Sequence, residues 1–362
     1  MNHRGSSHGY LTFRGRVRRL VFGLAAIAPM VLGMAGAGAG TAAADTVIDT
    51  ISVGEDPFGV AVSPDGSHVY VTNTRGDSIS VIETAGNSVA GTPTIGDGPY
   101  GVAVSPDGSR VYVANSGSAS VSVMETGTNA LVDTVTVGEF PIGVAPTPDG
   151  SHVYTTNVSD DDVSVIETAG NTVVGTIDAG RAPNGVAVSP DGSRAYVANA
   201  GSASVSVIET VGNSVVDTVG VGVAPQFVAV SPDGSRVYVT NNLDNSVSVI
   251  ETVGNSVVAT VPVGDGPTVL AVTPDGSRVY VTNTFADSVS VIETAGNTVI
   301  DTIPVGDSPN GVAVTPDGSR VYVANMGDDT VSVIAVGKCL GSLCIDLGSL
   351  TGSGSGTGSM FS

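Results

Sequence analysis

Seven aspartates sit in one repeated setting, Pro-Asp-Gly, with the prolines at 64, 106, 148, 190, 232, 274 and 316, always 42 residues apart. A carboxylate can act as acid, base or cation ligand, but a group carried by every copy is one that every copy needs in order to fold. Proline fixes φ, aspartate bonds its own backbone and glycine accepts left-handed angles, so the triplet is turn chemistry. A second ladder follows four residues after each proline: His68, Arg110, His152, Arg194, Arg236, Arg278 and Arg320. Setting Asn73 against Ser78 across the next hairpin puts His68 opposite Glu83. Steps of 42 then carry the pairing from Arg110 opposite Glu125 to Arg278 opposite Glu293. Facing opposite charges contribute about 0.2–1 kcal/mol each. Both histidines beyond residue 44 thus have a structural role, and the seventh copy breaks the pattern with Ala335 opposite Arg320. No Cys-His pair, His cluster or G-x-S-x-G elbow accompanies these ladders.

The elements that position these groups must fit within 42 residues. Each unit holds four short Val-rich runs separated by turn residues; in the second unit they are 101–105, 110–115, 120–126 and 130–138. Period-two runs this short, joined by Pro-Asp-Gly and Gly-Asn turns, are hairpin-linked strands, and their Gly and β-branched content excludes helical repeats. Four antiparallel strands per unit make one propeller blade. The text Gly-Val-Ala-Val-Ser-Pro-Asp-Gly-Ser-Arg-Val-Tyr-Val-Ala-Asn at 101–115 returns almost unchanged at 311–325, and Tyr-Val-Thr-Asn stands at 70–73, 238–241 and 280–283. These residues resemble the YVTN β-propeller repeat family of surface-layer and other exported propellers, over about residues 46–336. The resemblance implies an all-β, seven-bladed propeller with four antiparallel strands per blade. Residues 46–54 match the fourth strand of a unit such as 298–306, while the last copy ends after its third strand. The N-terminal strand is therefore predicted to close the last blade.

Positions that differ between blades are the candidates for recognition. The residue after each inner-loop proline runs Phe58, Tyr100, Ile142, Asn184, Gln226, Thr268 and Asn310 around the predicted channel mouth. Two residues before that proline stand Glu55, Asp97, Glu139, Arg181, Val223, Asp265 and Asp307. With the neighbouring hairpin tips, this face carries 14 acidic residues against two basic ones, Arg75 and Arg181. Asp160, Asp161, Asp162, Asp328 and Asp329 are the carboxylates suited to a hard cation, which makes Ca²⁺ the candidate metal; the alternative is a solvated acidic rim. No EF-hand loop is present, and no other cofactor is expected.

The two ends belong to other regimes. His3, Arg4, Arg14, Arg16, Arg18 and Arg19 precede a weakly apolar stretch and Ala42-Ala43-Ala44, the order of a cleaved export signal over residues 1–44, with a twin-arginine pattern at Arg18-Arg19. A propeller spans 45–337, and a Gly/Ser-rich flexible tail spans 338–362 with Cys339 and Cys344 spaced for a local disulfide. Eight basic residues against 34 acidic ones after Ala44 leave a net charge of −26, which repels nucleic acid and anionic lipid. The expected protein is secreted, periplasmic or on the cell surface, monomeric, and without a membrane span once the signal is cleaved. Its expected function is non-catalytic binding of a basic protein or an envelope polymer on the acidic loop face. The alternative is a propeller enzyme with a site at the channel mouth, since exported propellers that it resembles include lactonases and lyases.

Overall fold

The computed structural model describes residues 44–340 and 343–345. Every repeat folds as the spacing predicts. In the second unit the strands are Pro99–Val104, Arg110–Asn115, Ser120–Glu125 and Ala130–Thr136. Among the described residues these units build seven four-stranded antiparallel sheets, six of them running in chain order from inner to outer strand. The inner strands stand side by side in a closed order, that of the seventh blade returning to that of the first. The chain is a seven-bladed β-propeller. Only the first blade has a shortened outer strand, Ser88–Gly91, because Pro93 has no N–H for the ladder.

Each blade is buried on both faces, which explains why its second and third strands read as near-continuous apolar runs rather than as clean alternations. Along His68–Asn73 the residues after His68 are all buried. Tyr70, with Ile79 and Val81 of the next strand, packs forward against Val111 and Val113 of the second blade. Val69 and Val71 pack backward against Tyr322 and Val331 of the seventh. The hydrophobic core is therefore a ring of inter-blade cores, and no blade has one of its own.

Close backbone approach at the centre sets a second constraint. A Cβ on Gly59 would lie 2.3 Å from the Tyr100 carbonyl oxygen, and one on Gly311 would lie 2.1 Å from that of Phe58. Beside these glycines, Thr72 accepts the Gly59 N–H at 2.7 Å and donates to the Tyr100 carbonyl at 2.6 Å, bolting one blade to the next. Thr156, Thr240 and Thr282 make the same forward bond, to the carbonyls of Asn184, Thr268 and Asn310. The Tyr-Val-Thr-Asn and Tyr-Val-Ala-Asn forms of the repeat are thus bolted and unbolted versions of one joint.

The charge ladder takes the predicted register, from His68 opposite Glu83 to Arg320 opposite Ala335. The expected ion pairs across the hairpins do not form. The arginines lean to the following blade instead, where Arg110 Nη1 donates to the Thr168 carbonyl at 2.9 Å and to Asn171 Oδ1 at 3.2 Å. Arg194, Arg236 and Arg320 repeat this reach to Asn255, Asn297 and Asn87. A fixed backbone carbonyl and amide oxygen at the neighbouring turn hold the guanidinium better than a mobile, solvated glutamate does.

Closure follows the predicted route: Thr46–Ser52 pairs with Thr330–Ala335 as the outer strand of the seventh blade. At the turn position where the other six blades carry asparagine, this strand is preceded by Asp45. Asp45 is buried, and its carboxylate meets Arg278 Nη1 at 2.9 and 3.0 Å. It also accepts the Tyr280 hydroxyl at 2.6 Å and the Gly337 N–H at 2.8 Å. The one blade assembled from both ends of the chain is therefore clamped by a full ion pair, where four of its sisters offer the guanidinium a neutral asparagine oxygen. Residues 1–43, which hold most of the export segment read from the sequence, and 346–362 lie outside the described residues. In the tail, Lys338–Leu340 pairs with Leu343–Ile345 and sets Cys339 opposite Cys344; the expected disulfide concerns side chains outside the described residues. Among the described residues no helix is long and apolar enough to cross a membrane.

Replacing Asp45 by alanine strands Arg278 and Tyr280 and is expected to cost roughly 3 kcal/mol. Asp45→Asn restores the acceptor the other blades use and should cost markedly less. Chemical denaturation of both variants checks this, and an unchanged midpoint for Asp45→Ala would mean that closure does not depend on the clamp.

Candidate functional site

The topology puts the connections before the inner strands and the tips between second and third strands at one end of the ring. Phe58, Tyr100, Ile142, Asn184, Gln226, Thr268 and Asn310 each occupy the second position of an inner strand, and they fall into two arcs. On one arc Phe58 and Tyr100 have ring centroids 4.7 Å apart, and Tyr100 and Phe140 6.1 Å apart. On the other, Asn184 donates to Gln226 at 2.9 Å, Thr268 shares a hydrogen bond with Thr284, and Asn310 donates to the Ser308 carbonyl. Phe58 also reaches Phe227, at 6.3 Å. These two belong to the first and fifth blades, which are not neighbours, so the contact crosses the central channel.

Phe140 and Phe227 did not stand out in the sequence as recognition residues. The signal was present in their repeat columns. Phe227 occupies the place of Gly59, Gly101, Gly143, Gly185, Val269 and Gly311, and Phe140 is the one bulky residue in a column of Asp56, Gly98, Ala182, Ala224, Gly266 and Ser308.

The rim carboxylates have a use that spacing alone could not show. At the last position of each hairpin tip, Asp77, Asp161, Asp287 and Asp329 accept backbone N–H groups of the following connection, from Gly98, Ala182, Ser308 and Asp56. One position earlier, Asp160, Asp244 and Asp328 accept those of Glu139, Val223 and Asp307 in the preceding connection. These aspartates staple the connections to the tips. Asp162 takes the Asn157 amide at 2.6 Å, and burial, followed by Asp160, Asp178 and Asp161, holds its carboxyl above the usual range. Burial, with Asp287 and Asp328 beside it, likewise raises Asp307. Among the described residues no three His, Cys, Asp or Glu side chains gather as a cation cage.

Four acidic side chains stand apart from this stapling. Glu55, Asp97, Glu139 and Asp265 are exposed at the tips of their connections, and no hydrogen bond or ion pair of their carboxylates occurs among the described residues. Asp56 is paired with Arg75 at 3.2 Å, and Arg181 lies on the polar arc. The unpaired Glu55, Asp97 and Glu139 therefore flank the arc that carries Phe58, Tyr100 and Phe140.

The opposite end of the ring bears the Pro-Asp-Gly turns. Asp65 accepts the Ser63 hydroxyl and the Ser67 N–H and hydroxyl, and these bonds lower its pKa to about 2. Asp107, Asp149, Asp191 and Asp233 share this network and this pKa of about 2. A carboxylate so firmly ionised and so fully bonded is a poor general acid or base near neutrality.

Comparison with known proteins agrees with this architecture. The YNCE-like beta-propeller family matches residues 214–320, and the family described as lactonase, 7-bladed beta-propeller, matches residues 41–135. No curated protein matches. Among solved structures, Kuenenia stuttgartiensis hydrazine synthase is similar at 26% identity and a TM-score of 0.73, over 78% of this chain and 96% of that one. These likenesses support a β-propeller family.

Two outcomes follow from the rim and the turns. Asp329→Ala is expected to cost about 1 kcal/mol, while Ala119→Asp, which offers the Phe140 N–H the staple its blade lacks, should stabilise by a similar amount. Thermal denaturation reads both, and a neutral result for the pair would refute the staple. For acid, the turn aspartates titrate lower in the folded chain than in the unfolded one, so their contribution is complete above about pH 4 and is lost as pH falls through about 2. Asp162 and Asp307 act in the opposite sense and are relieved by mild acid. The melting temperature should thus hold or rise slightly from neutrality towards pH 4, then fall steeply. Changing the turn aspartates to asparagine should blunt that fall.

Proposed function

We propose that this propeller is a binding protein of the YVTN-repeat type, working outside the cytoplasm, whose acidic loop face docks a basic partner. The observation that carries this reading is the set of exposed, unpaired carboxylates Glu55, Asp97 and Glu139 beside the half-buried rings of one arc of the channel mouth. Most of the other rim aspartates are already occupied, so these three are the charges left for recognition. At a net charge of −26 beyond Ala44, the long-range field of the domain adds to them by drawing cations towards the face. The export signal read at residues 1–44 supports a site of action in the envelope or beyond. Binding of an arginine-rich peptide, measured by fluorescence anisotropy, should weaken as salt rises. It should also fall about tenfold or more in the combined Glu55→Gln, Asp97→Asn, Glu139→Gln variant. Unchanged binding in that variant would remove the reading.

A second reading rests on the lactonase family match at residues 41–135. In it, Glu55 or Glu139 would serve as the general base that activates water for opening a cyclic ester at the mouth. Hydrolysis of simple lactones that is lost in Glu139→Gln or Glu55→Gln would favour it; hydrolysis that persists in both would exclude these residues.

A further inference from the structure

We infer that the aromatic arc of the mouth, Phe58, Tyr100, Phe140 and Phe227, seats the cationic end of an arginine or lysine side chain projecting from a basic peptide segment. The inference rests on the docking reading above and names the group that is docked. Its first support is economy. Apart from the one tyrosine in each repeat, every aromatic residue among the described residues, the four above and Phe285, lies on the loop face. None is spent on the outer strands or on the opposite face.

The second support is cost. Phe140 is held at φ 57°, in the left-handed region, at a column filled elsewhere by small residues or aspartate: Gly98, Gly266, Ala182, Ala224, Ser308 and Asp56. A bulky side chain there strains the backbone, and its ring lies against Tyr100 of the inner strand before it. Phe227 likewise fills a column where five of the seven blades have glycine, and its ring reaches across the channel to Phe58. Two departures from the repeat, one set against a left-handed backbone angle and one against the close approach of neighbouring inner strands, place rings on the same face.

The ligand class follows from what surrounds the rings. An uncharged apolar anchor would use the rings but have no need of Glu55, Asp97 and Glu139. An inorganic cation would need a cage of oxygens, and the described residues gather none. Guanidinium and ammonium groups satisfy both features, because aromatic faces attract cations within about 6 Å of the ring centroid and carboxylates at the edge complete the neutralisation. The three carboxylates are spread over consecutive blade connections, so the occupant is a segment carrying several charges, with one seated at the mouth.

The test uses the purified full chain and two labelled peptides of alternating residues, one Arg-Gly and one citrulline-Gly. Citrulline keeps the shape of arginine and removes its charge. The arginine peptide should bind, the citrulline peptide should not, and Phe58→Leu or Phe227→Leu should weaken the former by about three- to tenfold. Phe140→Gly should weaken binding to a similar degree while raising the melting temperature, since glycine relieves the strained angle; a folding defect cannot produce that combination. Equal binding of the two peptides, or arginine binding unmoved by all three ring variants, would overturn the inference. If the rings prove silent while the Glu55, Asp97, Glu139 variant still abolishes binding, the docking face stands without its aromatic seat. Failure of the wild-type chain to bind any basic peptide would sink both.

Discussion

Every blade of this propeller is a sheet with two apolar faces and no partner within its own repeat, and that single constraint organises the rest. Such a sheet is stable only between two others, so the ring must close before any blade is fully buried. Closure in turn demands that all the joints have nearly the same geometry. The glycines facing the next blade's carbonyls, the threonine bolts and the arginines reaching forward to the neighbouring turn all answer that demand. The closing joint faces an additional problem, because its outer strand arrives from the other end of the chain and its entropy of docking must be met there. The exposed pattern of Thr46–Ser52 shows how little apolar surface that strand contributes, with Ile51 alone buried. The Asp45 carboxylate, bonded to Arg278, Tyr280 and the Gly337 amide, supplies hold where packing does not.

What was legible in the sequence was whatever depends on chain-local periodicity. The strand boundaries, the hairpin register from His68–Glu83 onwards and the closing strand all follow from residues a fixed number of positions apart. What was not legible depends on the distance between blades. Arg110 and Glu125 do face each other, yet the guanidinium finds better acceptors on the next blade, and nothing in the spacing within one unit says how close that blade stands. The rim aspartates are a similar case. Read along the chain, Asp160-Asp161-Asp162 is a run of like charges; in the fold, the first caps the connection behind it, the second the one ahead, and the third takes an asparagine amide. Asp45 was readable in principle, since it stands in a column otherwise filled by Asn87, Asn129, Asn171, Asn213, Asn255 and Asn297.

A repeat protein offers a particular kind of evidence about function. Each position is sampled seven times in one fold, so the residue that packing and backbone prefer is visible directly in the column. A departure that improves the local structure, such as Asp45 for asparagine at the one split blade, is explained by stability. A departure that the local structure resists is not. Phe140 takes a left-handed backbone angle that its column meets elsewhere with glycine, alanine, serine or aspartate, and Phe227 stands where close inner-strand packing favours a residue without a side chain. Proteins retain strain of this kind where the strained group does something the fold itself does not require. Both rings stand on the loop face, Phe227 against Phe58 and Phe140 against Tyr100, near carboxylates that the staples leave unpaired. Under the binding role proposed above, that coincidence is a recognition surface built by breaking the symmetry of the ring at its mouth, while the joints that hold the ring together stay close to the repeat.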